Sequence, residues 1–236
     1  MRYLSEYNVL KGDSSIAASL PEYRKLQLKL LKQYYQRKEL FTDKILDYEL
    51  TTFLKDHLKD ISSDKTFADT LINDYKRSCQ DSLYKNYIDS LYAKIKKLEK
   101  GNAAPSFALL NAEGKITSLS DFRGKIVYLD FWATWCMPCR TEMPHSLKLM
   151  EEFKNKDVVF LYINVLDSQE QWKKYLEENK EGVHLFADRE QSKLMQEAYN
   201  FDGIPLYVLI DRNGNLLNAN ADRPADAGQS IREALK

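Results

Sequence analysis

Long hydrophobic runs are missing from this chain. Nowhere do apolar residues approach the roughly 20 in succession that a helix needs to cross a bilayer, so the sequence offers no candidate span. The opening stretch, MRYLSEYNVLKG, lacks the apolar centre of a secretory signal. Two readings follow: a cytosolic protein, or a mature form whose export signal has been removed. Charge of one sign is also missing. Lys plus Arg and Asp plus Glu each number 35, so no net charge draws in nucleic acid or an acidic membrane surface. Glycine and proline are scarce at 8 and 6, which argues against a low-complexity or disordered chain. Cysteine is scarcer still. Three residues, Cys79, Cys136 and Cys139, are too few for a structural disulfide framework. A bridge between residues three apart closes a very small loop and gains little from restraining the unfolded chain, so the close pair points to chemistry instead.

What is present is a foldable chain of 236 residues, 44% hydrophobic, long enough for one large domain or two small ones. Residues 1–100 hold 19 basic and 15 acidic side chains, against 16 and 20 in the rest, a mild change of sign that supports two units. The first hundred residues read as helical. A helix is expected over Pro21–Leu40, with Leu26, Leu30, Leu31 and Tyr34 at helical spacing and a capping box at Ser19-Leu20-Pro21-Glu22. A second is expected over about Thr42–Leu58, with Ile45, Leu46, Leu50, Phe53 and Leu54 as its stripe. A third, long enough to be broken, runs from about Asp64 to Lys100 and carries Phe67, Leu71, Tyr75, Leu83, Tyr87, Ile88, Leu91, Ile95 and Leu98. Gly101–Pro105 is a Gly/Ala/Pro hinge, and the boundary falls there: a helical domain over 1–100 and a second domain over 103–236.

After the hinge, β-type and helical runs alternate, which predicts an α/β sheet. Phe107–Leu110 and Ile116–Leu119 flank Asn111-Ala112-Glu113-Gly114 as a hairpin. Lys125–Phe131, Val158–Val165 and Leu206–Ile210 are continuous apolar runs, as strands buried on both faces require. Asp211-Arg212-Asn213-Gly214 is a second turn, returning through Asn215–Asn218 as an edge strand. Helical patterns lie at about Met137–Lys154, Gln169–Glu178, Gln191–Ala198 and Ala227–Leu235.

The chemistry concentrates at Cys136-Met137-Pro138-Cys139, where a buried strand ends and a helix begins. Thiolate, not thiol, is the nucleophile in disulfide exchange. A helix N-terminus offers free N–H groups and the positive end of the macrodipole, and both favour the thiolate of the first cysteine, so its pKa is expected below the ~8.5 of free cysteine. Two intervening residues let the second sulfur reach the first across one turn. Cys136 is therefore the expected attacking group and Cys139 the resolving one. Pro138 stiffens the turn where no helical hydrogen bond is lost.

These residues resemble the active site of the thioredoxin superfamily, and more narrowly the TlpA/ResA-like branch of exported bacterial thiol–disulfide oxidoreductases, a redoxin (AhpC/TSA-like) domain. The resemblance rests on Ala104-Pro105-Ser106-Phe107, Ser118-Leu119-Ser120-Asp121-Phe122-Arg123-Gly124-Lys125, Phe131-Trp132-Ala133-Thr134-Trp135-Cys136-Met137-Pro138-Cys139-Arg140, Glu142-Met143-Pro144 and Gly203-Ile204-Pro205. It covers about residues 103–236 and implies a thioredoxin-like central sheet flanked by helices, behind the all-α first domain. It also implies a Cys136–Cys139 dithiol/disulfide cycle through a mixed disulfide. Pro205 would be cis, packed beside the disulfide, with the Ile204 backbone pairing with an extended substrate. Trp135, Met137 and Pro138 would flank the substrate. Asp130, six residues before Cys136, matches a buried carboxylate able to carry the proton of Cys139. Glu142 matches a rival carrier, and Pro144 a helix-kinking proline. No cofactor is implied beyond the dithiol. The implied partners are protein thiols or disulfides and a redox partner protein. The implied address is periplasmic or otherwise exported, with any membrane anchor outside this chain.

Blander readings stand beside these. A half zinc site needs a second cysteine pair or histidines at ligand spacing, and His57, His145 and His184 show none. A copper-binding protein would use the same two cysteines as soft ligands, with His184 as the candidate third. A peroxiredoxin-like peroxidase would need a Pro-x-x-x-Thr/Ser-x-x-Cys setting; the stretch before Cys136 lacks the proline and has its threonine one position too near. Asp130 could be a purely structural strand-end carboxylate. Glu142 could serve only the helix dipole, as a first-turn acid. Cys79 reads as a lone thiol in mid-helix, His145 as a helix-surface residue, Trp132 as packing, and the tyrosines of residues 75–92 as core or rim.

Overall fold

The computed structural model describes residues 22–62 and 64–236, apart from the side chains of 22–28 and 32. The expected capping box at Ser19–Pro21 and the side chain of Leu26 lie outside the described residues. The chain divides into two compact units, the first ending at Lys96 and the second spanning Lys97–Lys236.

The described part of the first unit is helical: α1 (Glu22–Leu40), α2 (Asp43–Ile61), α3 (Lys65–Ser78) and α4 (Ser82–Lys97). Leu30, Leu31, Tyr34, Leu50, Phe53, Leu54, Phe67, Leu71, Tyr75 and Ile88 meet in one apolar core. The third sequence helix is broken. Asp47, buried on α2, accepts the N–H groups of Gln80 and Asp81 at 2.8 and 2.9 Å, and Asp81 Oδ1 accepts Leu83 N–H at 2.7 Å at the start of α4. Cys79 therefore sits at the C-cap of α3 with extended backbone, and its thiol is fully buried, not in mid-helix. Three members of the expected stripes face solvent instead: Ile45, Leu83 and Tyr87 are 62%, 75% and 46% exposed. The break at residues 79–81 resets the helical phase, so Leu83 and Tyr87 no longer share a face with Tyr75.

The second unit is a seven-stranded sheet: β1 (Ala108–Asn111), β2 (Ile116–Ser118), β3 (Ile126–Trp132), β4 (Val158–Asn164), β5 (Val183–Phe186), β6 (Leu206–Ile210) and β7 (Leu216–Asn218). Their order is β2-β1-β5-β4-β3-β6-β7. β3, β4 and β5 run parallel at the centre, β6 is antiparallel to β3, and β1 is antiparallel to β5. Four helices complete the unit: α5 (Met137–Glu152), α6 (Gln169–Leu176), α7 (Arg189–Tyr199) and α8 (Gly228–Ala234). Strand β5 was not legible as a strand, because Val-His-Leu-Phe is short and interrupted by a polar residue.

The period-2 alternation of β3 builds two cores. Val127, Leu129 and Phe131 join Leu161, Ile163, Val208 and the α7 residues Met195 and Tyr199 on one face. Ile126, Tyr128 and Trp132 join Phe160, Tyr162, Trp172, Tyr207, Ile231 and both close cysteines on the other. Asp130 shares the parity of the second face, so a carboxylate is carried into the layer that holds the disulfide. Both turns follow the sequence reading. Asn111 Oδ1 accepts the N–H of Glu113 and Lys115, and Asp211 Oδ1 accepts those of Asn213 and Asn215.

Replacing Asp47 by Ala leaves the N–H groups of Gln80 and Asp81, on exposed residues, without their carboxylate acceptor, so a loss of about 1–2 kcal/mol is expected in urea unfolding of the helical unit followed by circular dichroism. An unchanged midpoint would show that water replaces the carboxylate at no cost.

Candidate active site

β3 ends at Trp132, and Ala133-Thr134-Trp135 turns the chain into α5. Cys136 is the N-cap of that helix. Its sulfur lies 3.2 Å from the Cys139 N–H, one of the first-turn donors left without a helical partner. Pro138 stands in the same turn, where a missing N–H costs nothing. Cys136 and Cys139 form a disulfide with 5.3 Å between Cα atoms. Both cysteines are buried, Cys136 at 3% and Cys139 at 0% exposed.

The walls come from four segments. The Ile204–Pro205 bond is cis, and Cys136 Sγ lies 3.8 Å from the Ile204 carbonyl oxygen. Trp135 and Met137 are exposed beside the disulfide, at 59% and 64%. The indole N–H of Trp135 donates to the Leu166 carbonyl at 2.9 Å. Leu166 itself adopts a left-handed backbone (φ 58°), and its N–H donates to Ser192 Oγ at 3.1 Å. Asp167 Oδ2 accepts the Thr134 N–H at 2.8 Å and the Asn164 side-chain amide at 3.2 Å, tying the end of β4 to the turn before Cys136. Asp167 and Leu166 were not singled out in the sequence. The Asp167-Ser168 pair before α6 is a readable helix-start signal, but nothing local shows that it also clamps Thr134.

Below the disulfide lie the two carboxylates. Asp130 is in the interior of β3, 2% exposed, directly opposite Tyr207 of β6 and Tyr162 of β4. It is thus no strand-end group. Burial pushes its carboxyl well above the ordinary range, and the nearby Glu142 charge adds to the rise. Glu142 lies in the second turn of α5, not the first, where the macrodipole argument would have placed it. Its Oε1 is 3.4 Å from Arg223 Nη1, and its side chain is 13% exposed. Arg223 carried no sequence signal. Pro144 lies within α5 and His145 on its exposed face. Burial raises the hydroxyl pKa of Tyr128, Tyr162 and Tyr207, so these side chains stay neutral.

His184, the third ligand a copper reading would need, stacks on Tyr162 with 4.8 Å between ring centroids, and its Nε2 is 2.9 Å from the Glu181 carbonyl. Among the described residues no three His, Cys, Asp or Glu side chains gather to hold a metal ion.

A profile of the AhpC/TSA family matches residues 100–219. The chain belongs to the AhpC/TSA family. The thiol-disulfide oxidoreductase ResA of Geobacillus kaustophilus is 38% identical over 116 residues, 49% of this chain and 66% (just under two thirds) of that protein. ResA of Bacillus cereus is 31% identical over 136 residues, 58% of this chain and 75% of that one. Among solved structures, the thioredoxin domain of a thiol-disulfide oxidoreductase from Bacteroides vulgatus is 31% identical with a TM-score of 0.55, covering 59% of this chain and 99% of that domain. Within the AhpC/TSA family the chain is thus a ResA-like thiol–disulfide oxidoreductase with a thioredoxin-type sheet.

The Asp130 geometry makes a prediction about stability. A carboxyl raised in the folded state binds its proton more tightly there than in the unfolded chain. Stability is then fully present below the unfolded pKa, near 4, and declines as pH rises toward the folded value. Asp130→Asn removes that decline. The variant is expected to unfold at higher denaturant than the wild type at neutral pH, by about 1.4 kcal/mol for each unit of displacement. The gap should close as pH falls toward about 4. A gap that stays constant with pH would show that Asp130 is not displaced.

Proposed function

We propose that this chain reduces or isomerises disulfides in protein substrates by cycling Cys136 and Cys139 between dithiol and disulfide. One observation carries the reading: the Cys136 sulfur stands at a helix N-terminus and is bonded to Cys139 one turn on. In the reducing direction, the Cys136 thiolate attacks a substrate disulfide, forms a mixed disulfide and releases one substrate thiolate. Cys139 loses its proton and attacks the Cys136 sulfur. The intramolecular disulfide forms, and the second substrate sulfur leaves as a thiol. Two electrons and the one proton of Cys139 pass out of the dithiol, the first product leaving as a thiolate, and a second redox protein returns them to the enzyme. First-turn N–H groups hold the developing Cys136 thiolate. Asp130 and Glu142 are the candidate acceptors for the Cys139 proton, Asp130 as a buried carboxyl on the sheet face that carries the cysteines and Glu142 as its neighbour on the helix that carries Cys139.

The geometry at Ile204 supports backbone pairing with an extended substrate segment over Cys136. The exposed Trp135 and Met137 offer apolar contact on the other side. An exported address fits the resemblance to exported oxidoreductases, and disulfides persist in oxidising compartments. Among the described residues no helix is long and apolar enough to cross a membrane.

Equilibration in glutathione or dithiothreitol buffers, read by tryptophan emission, tests the reading. Trp132 and Trp135 bracket the turn, and Cys136→Ser is the control. A single two-electron transition near or below about −250 mV is expected for a reductant, whereas one near about −120 mV would mark an oxidant or isomerase. Absence of a two-electron transition would overturn the redox assignment.

A further inference from the structure

The segment between β7 and α8 crosses the sheet face that holds the disulfide. Two hydrogen bonds fix it there: the Ala221 N–H donates to the Tyr207 carbonyl at 2.9 Å, and the Tyr128 hydroxyl donates to the Asp222 carbonyl at 2.7 Å. The next residue is Arg223. Its carbonyl accepts the N–H of Asp226 and of Ala227, both at 2.9 Å, which closes the turn into α8. This anchored turn puts the Arg223 guanidinium on Glu142 of α5 at 3.4 Å.

Glu142 therefore has two ends. Oε1 meets Arg223 at the rim. Oε2 is buried and has no hydrogen-bond partner among the described residues. On the same face Asp130 Oδ1 and the Tyr207 hydroxyl are buried without partners too, and those two residues are directly opposite in the β3–β6 register. Buried polar atoms are rarely left orphaned, and such groups gathered on one face beneath a reactive pair mark a functional cluster more readily than a stabilising one.

We propose that Arg223 is a positioning residue of the redox centre: from the rim it holds the Glu142 carboxylate, and so makes the Asp130–Glu142 pair a single proton-exchange unit serving Cys139. This rests on the dithiol cycle proposed above. As Cys139 attacks the Cys136 sulfur, its S–H bond breaks and the proton passes to the carboxylate pair. The Cys139 sulfur supplies the electron pair of the new S–S bond, and the substrate sulfur leaves with the pair of the broken one. In the reverse half of the cycle the pair returns the proton to Cys139. One cation beside two carboxyls lets one of them remain charged while its neighbour holds a proton in the protein interior.

The groups facing Asp130 are few. They are Glu142 on α5, Tyr128 on its own strand, Tyr162 on β4, Tyr207 on β6, Tyr175 on α6 and, beyond Glu142, Arg223. Glu181 and Arg140 act on the Tyr175 side. The tyrosines are neutral at working pH, so the sign of the field at Asp130 is set by Glu142 and Arg223.

The test uses the full, reduced chain and an aromatic disulfide that releases one chromophoric thiolate when Cys136 attacks and a second when Cys139 resolves the adduct. The rate of the second release is followed against pH. Losing the cation makes the carboxyl pair harder to ionise, so in Arg223→Gln the acid limb should move to higher pH. About half a pH unit is expected for a partly exposed pair, equal to about a threefold slower release on that limb. Arg223→Lys should restore the wild-type limb. Glu142→Gln, which removes a like charge, should move it the opposite way. The Arg223→Gln displacement should shrink as salt is raised. If the Arg223→Gln profile superimposes on the wild type, or if lysine does not restore it, the proposal is overturned. If the wild type gives no second release at all, the dithiol cycle itself fails, which is a separate result.

Discussion

Everything at this site depends on where β3 stops. The strand is buried on both faces through Trp132, and only Ala133, Thr134 and Trp135 separate it from Cys136, the N-cap of α5. That abrupt change places the first sulfur at the first-turn N–H groups of a 16-residue helix. Moving the strand end by one residue would reverse the parity of the strand and send Asp130 to the opposite core. The thiol chemistry and the proton chemistry are thus set by a single register.

The supports of that turn are spread widely along the chain. Asp167 holds Thr134 from the end of β4, Leu166 receives the Trp135 indole, and Ile204 closes over Cys136 from the loop before β6. Each support comes from a loop that follows or precedes a central strand on the same edge of the sheet. A parallel sheet collects such loops at the C-terminal ends of its strands, which is why an α/β framework can assemble a site from distant parts of the sequence. Thr134, Trp135 and Cys136 are each held from one of two loops, the one after β4 and the one before β6.

Much of this was legible in the residues. The largely apolar runs of β3, β4 and β6 announced strands covered on both faces. The Asn-x-x-Gly and Asp-x-x-Gly turns announced both hairpins, and Cys-Met-Pro-Cys after a buried strand announced a helix-capped dithiol. What stayed hidden had physical reasons. β5 is four residues with a histidine inside, too short for periodicity to show. The phase of the third helix was lost at Cys79–Asp81 because the bond that breaks it comes from Asp47, over thirty residues away. Glu142 could be noticed, but its partner could not: Arg223 lies 81 residues downstream in a polar loop with no local pattern. Pairwise placement across the fold is the one kind of information that spacing along a chain does not carry.

The buried carboxylate gives the strongest reason to read the site as active. Asp130 lies in the middle of a strand whose other members are apolar or aromatic, and a well-packed apolar residue there would hold the fold better. Desolvation and the Glu142 charge act in the same direction on it, against ionisation. Among the described residues no cation contributes to its shift, and the guanidinium of Arg223, 56% exposed, is paired with Glu142. A fold selected for stability alone would have relieved such a residue by substitution or by a direct partner. Instead the structure keeps its proton in the layer that holds a sealed sulfur, and that sulfur must lose a proton to close the disulfide and regain one when it opens. The destabilising residue and the chemical requirement share one sheet face, and the proposed proton exchange with Cys139 would account for both.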